Sequence, residues 1–266
     1  QEAQQVFQKL TFRNVVTWTA LIVGLLEHGY GDEALYCFKE MKLHGISANV
    51  ITCSCGLKAC CSILTLDEEG REIHGEILKK GFECEMCIGN SLVDFYAKYG
   101  MLSKARDVFH SLPIQNIVSW NALIAGYAQH GQSGNVFCIF ERMLLNGVKP
   151  DLVSFAIILH ACSRMGLLNL SQTYFNVMSK DYGIIPTIDH HTSMVDLLGR
   201  VGQLDKAVVM INKSPVSNHI AIWRRVLDAC RNWGNIELGK RTFEHAVHLI
   251  ENNDPASHRI YVKLGI

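Results

Sequence analysis

The sequence predicts an all-α protein, a right-handed solenoid of stacked helical hairpins. The first observation is an internal repeat: residues 14–29 align with residues 116–131 at nine of sixteen identical positions, and residues 91–105 align with 193–207 at the same offset of 102. The second is that each repeat contains short amphipathic segments with helical periodicity. A single short hairpin cannot bury its apolar stripe alone, whereas stacked hairpins can, so the repeat favours a solenoid.

The first segment shows how each hairpin is built. Trp18, Leu21 and Ile22 fall on one face of a helix. Gly29 follows, where a left-handed residue would end that helix. Asp32 then begins a second helix, because a carboxylate near a helix N-terminus interacts favourably with the helix dipole. Two helices and a glycine turn are therefore predicted for each block.

Each 102-residue repeat divides into three blocks, with lengths of 35, 36 and 31 residues. The six complete blocks comprise residues 15–49, 50–85, 86–116, 117–151, 152–187 and 188–218. Residues 1–14 align with the end of the third block, and residues 219–254 contain a further predicted helix pair. The chain begins inside an amphipathic pattern, so we expect a fragment whose missing targeting peptide says nothing about its compartment.

Composition excludes several classes of protein. Apolar residues make up 48% of the chain, so a large core is expected and intrinsic disorder is not. The formal net charge is zero, which gives no bulk electrostatic attraction to nucleic acid or membrane. The ten cysteines are irregularly spaced within apolar stretches, which favours reduced core residues of an intracellular protein.

One stretch has the outline of a zinc deaminase site. His74 and Glu76 precede Cys84 and Cys87, and such enzymes bind zinc through His and two Cys beside a proton-shuttling Glu. None of the four recurs in the second repeat, however, and too few residues separate Glu76 from Cys84 for a deaminase fold. We therefore expect neither catalytic residues nor a metal site or cofactor in this chain, and the same holds for the short cluster at 189–191.

The blocks resemble the pentatricopeptide repeat (PPR). The resemblance lies in VVTWTALIVG and GDEALYCFKEMKLHGISAN in the first block and in IVSWNALIAGYAQHG in the fourth. The alternating lengths resemble the P-type, L-type and S-type repeats of the plant PLS subclass. AIWRRVLDACRNWGNIELGKRTFEHAVHLI resembles the first half of a C-terminal E-type extension, and PASHRIYVKLGI, in residues 255–266, resembles the start of its second half.

The resemblance assigns a type to every segment. Residues 15–49 and 117–151 are P-type, 50–85 and 152–187 are L-type, and 86–116 and 188–218 are S-type. Residues 1–14 are the end of an S-type repeat, and 219–254 are the first E-type pair.

The resemblance implies sequence-specific binding of single-stranded RNA, with one base for each repeat. In this subclass the usual role is to select cytidines for C-to-U editing in chloroplast or mitochondrial transcripts. The cytidine deaminase domain would be supplied in cis or by a partner, and L-type repeats would recruit organellar editing accessory proteins. The alternatives are a protein–protein interaction solenoid and an RNA processing or stability factor without an editing role.

The family reads bases with the fifth and last residues of each repeat. The positions that carry this role here are Asn14, Thr19, Asn49, Asn90, Asn116, Asn121, Asp151, Thr192 and Asn218. Weaker candidates, in the L-type repeats, are Ser54, Glu85, Ala156 and Thr187. In family terms, the order of bases from 5′ to 3′ is A, any, pyrimidine, U, any, A. The alternative interpretation is helix capping, which Thr, Asn and Asp also favour.

The second residue of each repeat would pack against the base faces. These residues are Val16, Ile51, Cys87, Val118 and Val153. The sixth repeat has Asp189 there instead, which departs from the pattern. The alternative interpretation is that the apolar residues belong to the core of the helix pair.

Overall fold

The computed structural model describes residues 7, 10, 12–63 and 67–253, with side chains described for all of these except 67 and 250–253. Within these ranges all regular secondary structure is α-helical apart from turns, which confirms the predicted all-α class. No helix in the described ranges combines the length and the apolar character needed to cross a bilayer. The segment 255–266, assigned to a second E-type unit, and most of 1–14 lie outside the described residues.

The chain forms two compact units, residues Gln1–Val148 and Lys149–Ile266. The helices described in the first unit are α1 (Val15–Glu27), α2 (Gly31–Leu43), α3 (Val50–Ile63), α4 (Asp67–Lys80), α5 (Met86–Lys98), α6 (Leu102–Ser111), α7 (Ile117–Gln129) and α8 (Ser133–Leu145). Those described in the second unit are α9 (Leu152–Met165), α10 (Leu168–Lys180), α11 (Ile188–Arg200), α12 (Leu204–Asn212), α13 (Ile220–Trp233) and α14 (Ile236–Asn253).

The odd-numbered helices, the first helices of the hairpins, begin where the sequence blocks begin. The six starts are Val15, Val50, Met86, Ile117, Leu152 and Ile188. The seventh first helix begins at Ile220, one residue after the boundary predicted at 219. His219 occupies its N-cap, because a turn through residues 213–218 delays the helix.

The first helices pack in a row within each unit. In the first unit α1 contacts α3, α3 contacts α5 and α5 contacts α7; in the second unit α9 contacts α11 and α11 contacts α13. Second helices pack against the first helix of their own hairpin, and α2, α6, α10 and α12 also contact the next first helix. Each unit is therefore a stack of hairpins whose first helices form one layer.

The internal repeat recurs in tertiary contacts as well as in sequence. The rings of Phe7 and Trp18 meet edge to face with centroids 4.6 Å apart, and those of Phe109 and Trp120 do the same at 4.6 Å. Both tryptophans are buried, and edge-to-face pairs of this kind add stability beyond their buried area. The pair of Phe109 and Trp120 fixes α6, the second helix of one hairpin, to α7, the first helix of the next.

Candidate nucleic-acid interface

The last residues of several blocks are N-caps of the following first helix. The side-chain Oδ1 atoms of Asn14, Asn49 and Asn116 accept hydrogen bonds from the backbone N–H three residues later, at 3.0, 2.9 and 3.0 Å. Capping therefore occupies the acceptor end of each amide. The donor end, Nδ2, makes no hydrogen bond to any described residue in these three asparagines.

The other last residues are less uniform. Asp151 caps α9 through Oδ1, which accepts from the backbone N–H of Ser154 at 2.9 Å. Thr187 lies at the N-cap of α11, with its hydroxyl 2.7 Å from His190 Nδ1. Glu85 is at an N-cap position without a capping hydrogen bond from its side chain, and Asn218 is exposed in the turn before α13. Capping thus accounts for most of these side chains but not for all.

The fifth residues lie in the second turn of the first helices. Thr19 is half-buried, and its hydroxyl donates to the backbone oxygen of Val15 at 2.6 Å. Thr192 is also half-buried, whereas Asn121 is only 8% exposed. No helix-capping role is available at this position, since these residues follow the helix start by four residues.

Asn90, the fifth residue of the third block, carries an unsatisfied acceptor. Its Oδ1 atom is buried and has no hydrogen-bond donor among the described residues. A buried carbonyl without a partner costs about 1–3 kcal/mol. A ligand that brought an N–H group to this atom would recover that free energy.

The weaker candidates at the fifth positions of the second and fifth blocks have different surroundings. Ser54 is only 5% exposed, and its hydroxyl is 2.8 Å from that of Ser91, in the contact between α3 and α5. Ala156 is half-buried and has no hydrogen-bonding side chain. In the second block the fifth position therefore contributes to packing between first helices.

The second residues of the blocks form an exposed apolar series. Their side chains lie in the first turn of α1, α3, α5, α7 and α9, and the four that are aliphatic are 54% to 66% exposed. The members are Val16, Ile51, Val118 and Val153, with exposed Cys87 at the equivalent place in the third block. The alternative that these residues belong to the helix-pair core does not hold, since each faces solvent. Asp189, in the sixth block, is exposed as well.

Lysines that could meet phosphates differ in their availability. Lys80 Nζ is 2.7 Å from Glu76 Oε1 and donates to the backbone oxygen of Ala48 at 2.7 Å. Glu76 Oε2 is also 2.7 Å from Lys42 Nζ. Partial burial raises the pKa of Glu76, but the two lysines outweigh it and hold that pKa below its usual value. Glu76 therefore joins α4 to α2 through Lys42, and Lys80 joins α4 to the loop at Ala48, while Lys79 and Lys149 are exposed.

The four residues that resemble a zinc deaminase site do not form one in this structure. The ring nitrogen Nδ1 of His74 is 2.5 Å from the hydroxyl of Tyr96, and Glu76 belongs to the lysine network. Cys84 and Cys87 are exposed. Across the described ranges, no three His, Cys, Asp or Glu side chains are grouped as a metal site requires.

The second unit also contains a charged cleft that was not predicted from the sequence. A cavity of about 600 Å³ between α11 and α13 is lined by Asp196, Arg200, Arg225, Asp228, Asn232 and Trp233, among others. Alignment of residues 220–234 with 117–131 would have revealed it. Arg225 and Asp228 then replace Ala122 and Ala125, so two small residues become charged.

Comparison with known proteins identifies the family. Residues 13–62 and 115–164 match the PPR repeat family, and residues 90–116 and 189–217 match the PPR repeat. Two Arabidopsis thaliana proteins are similar: pentatricopeptide repeat-containing protein At2g33680 is 41% identical over 90% of this chain, and the chloroplastic protein CRR2 is 39% identical over 90%. The chain spans about a third of their length, 33% and 36% respectively.

Solved structures show the same fold. The crystal structure of the pentatricopeptide repeat protein PPR10 in complex with an 18-nt psaJ RNA element matches with a TM-score of 0.63 and 20% identity, over 94% of this chain and 42% of that one. PPR10 from maize matches with a TM-score of 0.54, over 96% and 40%. Together, the matched repeats, the plant relatives and the shared helical fold show that the chain belongs to the pentatricopeptide repeat family.

Proposed function

We propose that this chain binds single-stranded RNA in a sequence-specific manner, one base for each repeat. The observation that carries the proposal is the exposed apolar series at the second residues of the blocks. Exposed aliphatic side chains at the same helical position, repeat after repeat, match a ligand with flat apolar faces at a regular spacing. Bases of single-stranded RNA have such faces, and stacking tolerates any base.

The polar groups beside this series supply base discrimination. The Nδ2 groups of Asn14, Asn49 and Asn116 are donors, and the buried Oδ1 of Asn90 is an acceptor that lacks a donor among the described residues. Hydrogen bonds to base edges need such donors and acceptors at fixed places. The order of bases from 5′ to 3′ is A, any, pyrimidine, U, any, A.

More specifically, we propose that RNA binding by this chain selects cytidines for C-to-U editing in organellar transcripts. It is supported by the resemblance of the blocks to P-type, L-type and S-type repeats and of residues 219–254 to an E-type extension. Two relatives are named as chloroplastic, in keeping with a chloroplast or mitochondrial location. A deaminase domain in cis or in trans would perform the chemistry a few nucleotides 3′ of the bound sequence.

RNA binding is tested by fluorescence anisotropy with a six-nucleotide RNA of the predicted order. A second RNA has a purine in place of the third base. Wild type should bind the RNA with the pyrimidine more tightly than the RNA with the purine. In Asn90→Ala this ratio of affinities should fall about tenfold, which corresponds to the loss of one hydrogen bond worth about 1.4 kcal/mol. Ser54→Ala is the matched control, since Ser54 is bonded to Ser91 and should leave the preference unchanged. Equal affinity for a scrambled RNA would contradict the proposal.

The editing role is tested in a plant that lacks the full-length protein. Sequencing of chloroplast and mitochondrial transcripts should find at least one cytidine, 3′ of a match to the predicted order, that is no longer converted. Complementation with wild type should restore conversion, whereas complementation with Asn90→Ala should not. Unchanged editing at every site, with altered transcript ends or abundance instead, would favour the processing or stability role.

A further inference from the structure

The cleft between α11 and α13 differs from the equivalent place in the first unit. The junction between α5 and α7 has Asp94 and Lys98 on the first helix, paired within that helix at 2.9 Å, and small alanines at 122 and 125 on the second. In the second unit, Asp196 is paired across the junction, with its Oδ1 3.7 Å from Arg225 Nε. The cleft is polar because α13 has Arg225 and Asp228 at the two positions where α7 has alanines.

The backbone framework of the two junctions is nevertheless the same. His130 Nε2 lies 3.0 Å from the backbone oxygen of Ala97, and Trp233 Nε1 donates to the equivalent oxygen of Gly199 at 2.7 Å. The small residues are exchanged: Gly126 faces Ala97, whereas Ala229 faces Gly199. The same packing arrangement forms between α5 and α7 without charged residues at 122 and 125, so the charged side chains of α13 are not needed to form it.

One arginine of the cleft, Arg225, is available to an anionic ligand. Arg200 and Arg225 line the cleft together with Asp196 and Asp228, so these four charges balance. The contact of Arg225 with Asp196 is long and uses Nε only, and its terminal nitrogens make no hydrogen bond to any described residue. A phosphate is an anion that such a forked group binds well, often through two parallel hydrogen bonds.

The cleft also contains a flat surface for a base. Trp233 is 57% exposed, and its indole is fixed by the hydrogen bond to Gly199 and by contact with Gly202. Base stacking on such a fixed aromatic ring needs no particular base. In the alignment with 117–131, Arg224 occupies the fifth position, equivalent to Asn121, and its buried Nε lacks an acceptor among the described residues.

The position of the cleft identifies which nucleotide it would take. Asp196 and Arg200 follow Thr192 by one and two helical turns on α11. We propose that the cleft binds one further nucleotide of single-stranded RNA, directly 3′ of the base assigned to Thr192 and Asn218, with its phosphate at Arg200 and Arg225 and its base against Trp233. This inference rests on the RNA-binding function proposed above.

The test compares two RNAs by fluorescence anisotropy: the six-nucleotide RNA of the predicted order, and the same RNA extended at its 3′ end by two cytidylates. Wild type should bind the extended RNA about tenfold more tightly, as expected for one stacked base and one phosphate contact. Arg225→Ala should remove this gain without changing the affinity for the shorter RNA. Trp233→His should reduce the gain and keep the fold, because His130 makes the same backbone contact in the first unit.

Arg241→Ala is the control, since Arg241 is an exposed arginine of α14, outside the cleft, and should keep the full gain. Far-ultraviolet circular dichroism and a thermal melt establish that each variant is folded. If wild type reads the shorter RNA but gains nothing from the extension, or if Arg225→Ala retains the gain, this inference is overturned while the proposed function stands. If the shorter RNA and its scrambled version bind equally, the proposed function itself fails.

Discussion

Asn49 shows, at the scale of one residue, how capping and recognition can share a side chain. Its Oδ1 accepts from the backbone N–H of Thr52 at 2.9 Å and from the hydroxyl of Thr52 at 3.0 Å. These bonds orient the amide and place its donor, Nδ2, at the other end. The two interpretations of the last residues, capping and base reading, therefore use different atoms and are compatible.

Asn49→Asp should separate the two roles. Asp caps helices as well as Asn, so the free energy of unfolding should change by less than about 0.5 kcal/mol. The carboxylate cannot donate, so the preference for adenine at the first position of the RNA should fall about tenfold. Urea unfolding and anisotropy with adenine or guanine at that position measure both. Asn49→Ala should lose both functions, with about 1 kcal/mol of stability; an unaltered base preference in Asn49→Asp would contradict the reading role.

We expect His190 to make the stability of the second unit depend on pH. Its Nδ1 accepts from the backbone N–H of Thr187 at 3.2 Å, and its Nε2 lies 2.9 Å from the backbone oxygen of Leu152, to which it donates in this tautomer. Burial lowers the pKa of His190. The unfolded chain then binds a proton at a higher pH than the folded chain, so stability should be lost as pH falls below about 6.5.

The measurement is the urea midpoint at about pH 8 and about pH 5.5, for wild type and His190→Thr. Thr matches the residue three positions into α1 and α3, Thr17 and Thr52, whose hydroxyls accept from the backbone N–H of the N-cap. The variant should lose less stability at the lower pH than wild type does. An equal loss in both proteins would assign the pH dependence to other groups, such as His74, whose pKa is also lowered by burial.

At the scale of elements, the spacing of the first helices depends on glycine–alanine contacts. A Cβ added to Gly126 would clash with Ala97, and one added to Gly199 would lie 2.8 Å from Ala229 Cβ. Each junction thus has one glycine and one alanine, on opposite helices. Close approach of α5 to α7, and of α11 to α13, requires that one of the two lack a side chain.

Gly126→Ala should destabilise the first unit by about 1–3 kcal/mol, the usual cost of overpacking. Ala97→Gly in the same chain should recover part of this loss, since Ala229 and Gly199 already have that arrangement. A double-mutant cycle by urea unfolding measures the coupling between the two sites. Additive effects of the two substitutions would show that the helices do not meet at this pair.

At the scale of the whole molecule, the balance of 25 basic and 25 acidic residues limits the electrostatic contribution to RNA binding. We therefore expect the slope of log Kobs against log salt to be shallower than about −2, at about −0.7 for each phosphate neutralised. Anisotropy with the six-nucleotide RNA between about 50 and 200 mM salt measures it. A much steeper slope, shared by scrambled RNA, would indicate binding dominated by charge and would contradict specific readout.

The sequence by itself determined the hairpin register. Amphipathic periodicity, N-cap residues and glycine stops are local signals, so the six block starts coincide with the helix starts at Val15, Val50, Met86, Ile117, Leu152 and Ile188. It also located the repeated aromatic residues, because an offset of 102 aligns Phe7 and Trp18 with Phe109 and Trp120.

Only the tertiary structure decided what equivalent positions do. Ser54 and Asn90 are both fifth residues, yet the first is bonded to Ser91 of the next first helix and the second has a buried oxygen without a donor among the described residues. The second residues could have been core or surface, and the packing of neighbouring hairpins leaves them exposed. The charged cleft likewise needs side chains from α11 and α13 together. Burial and pairing depend on the adjacent hairpin, and no local pattern in one block specifies its neighbour.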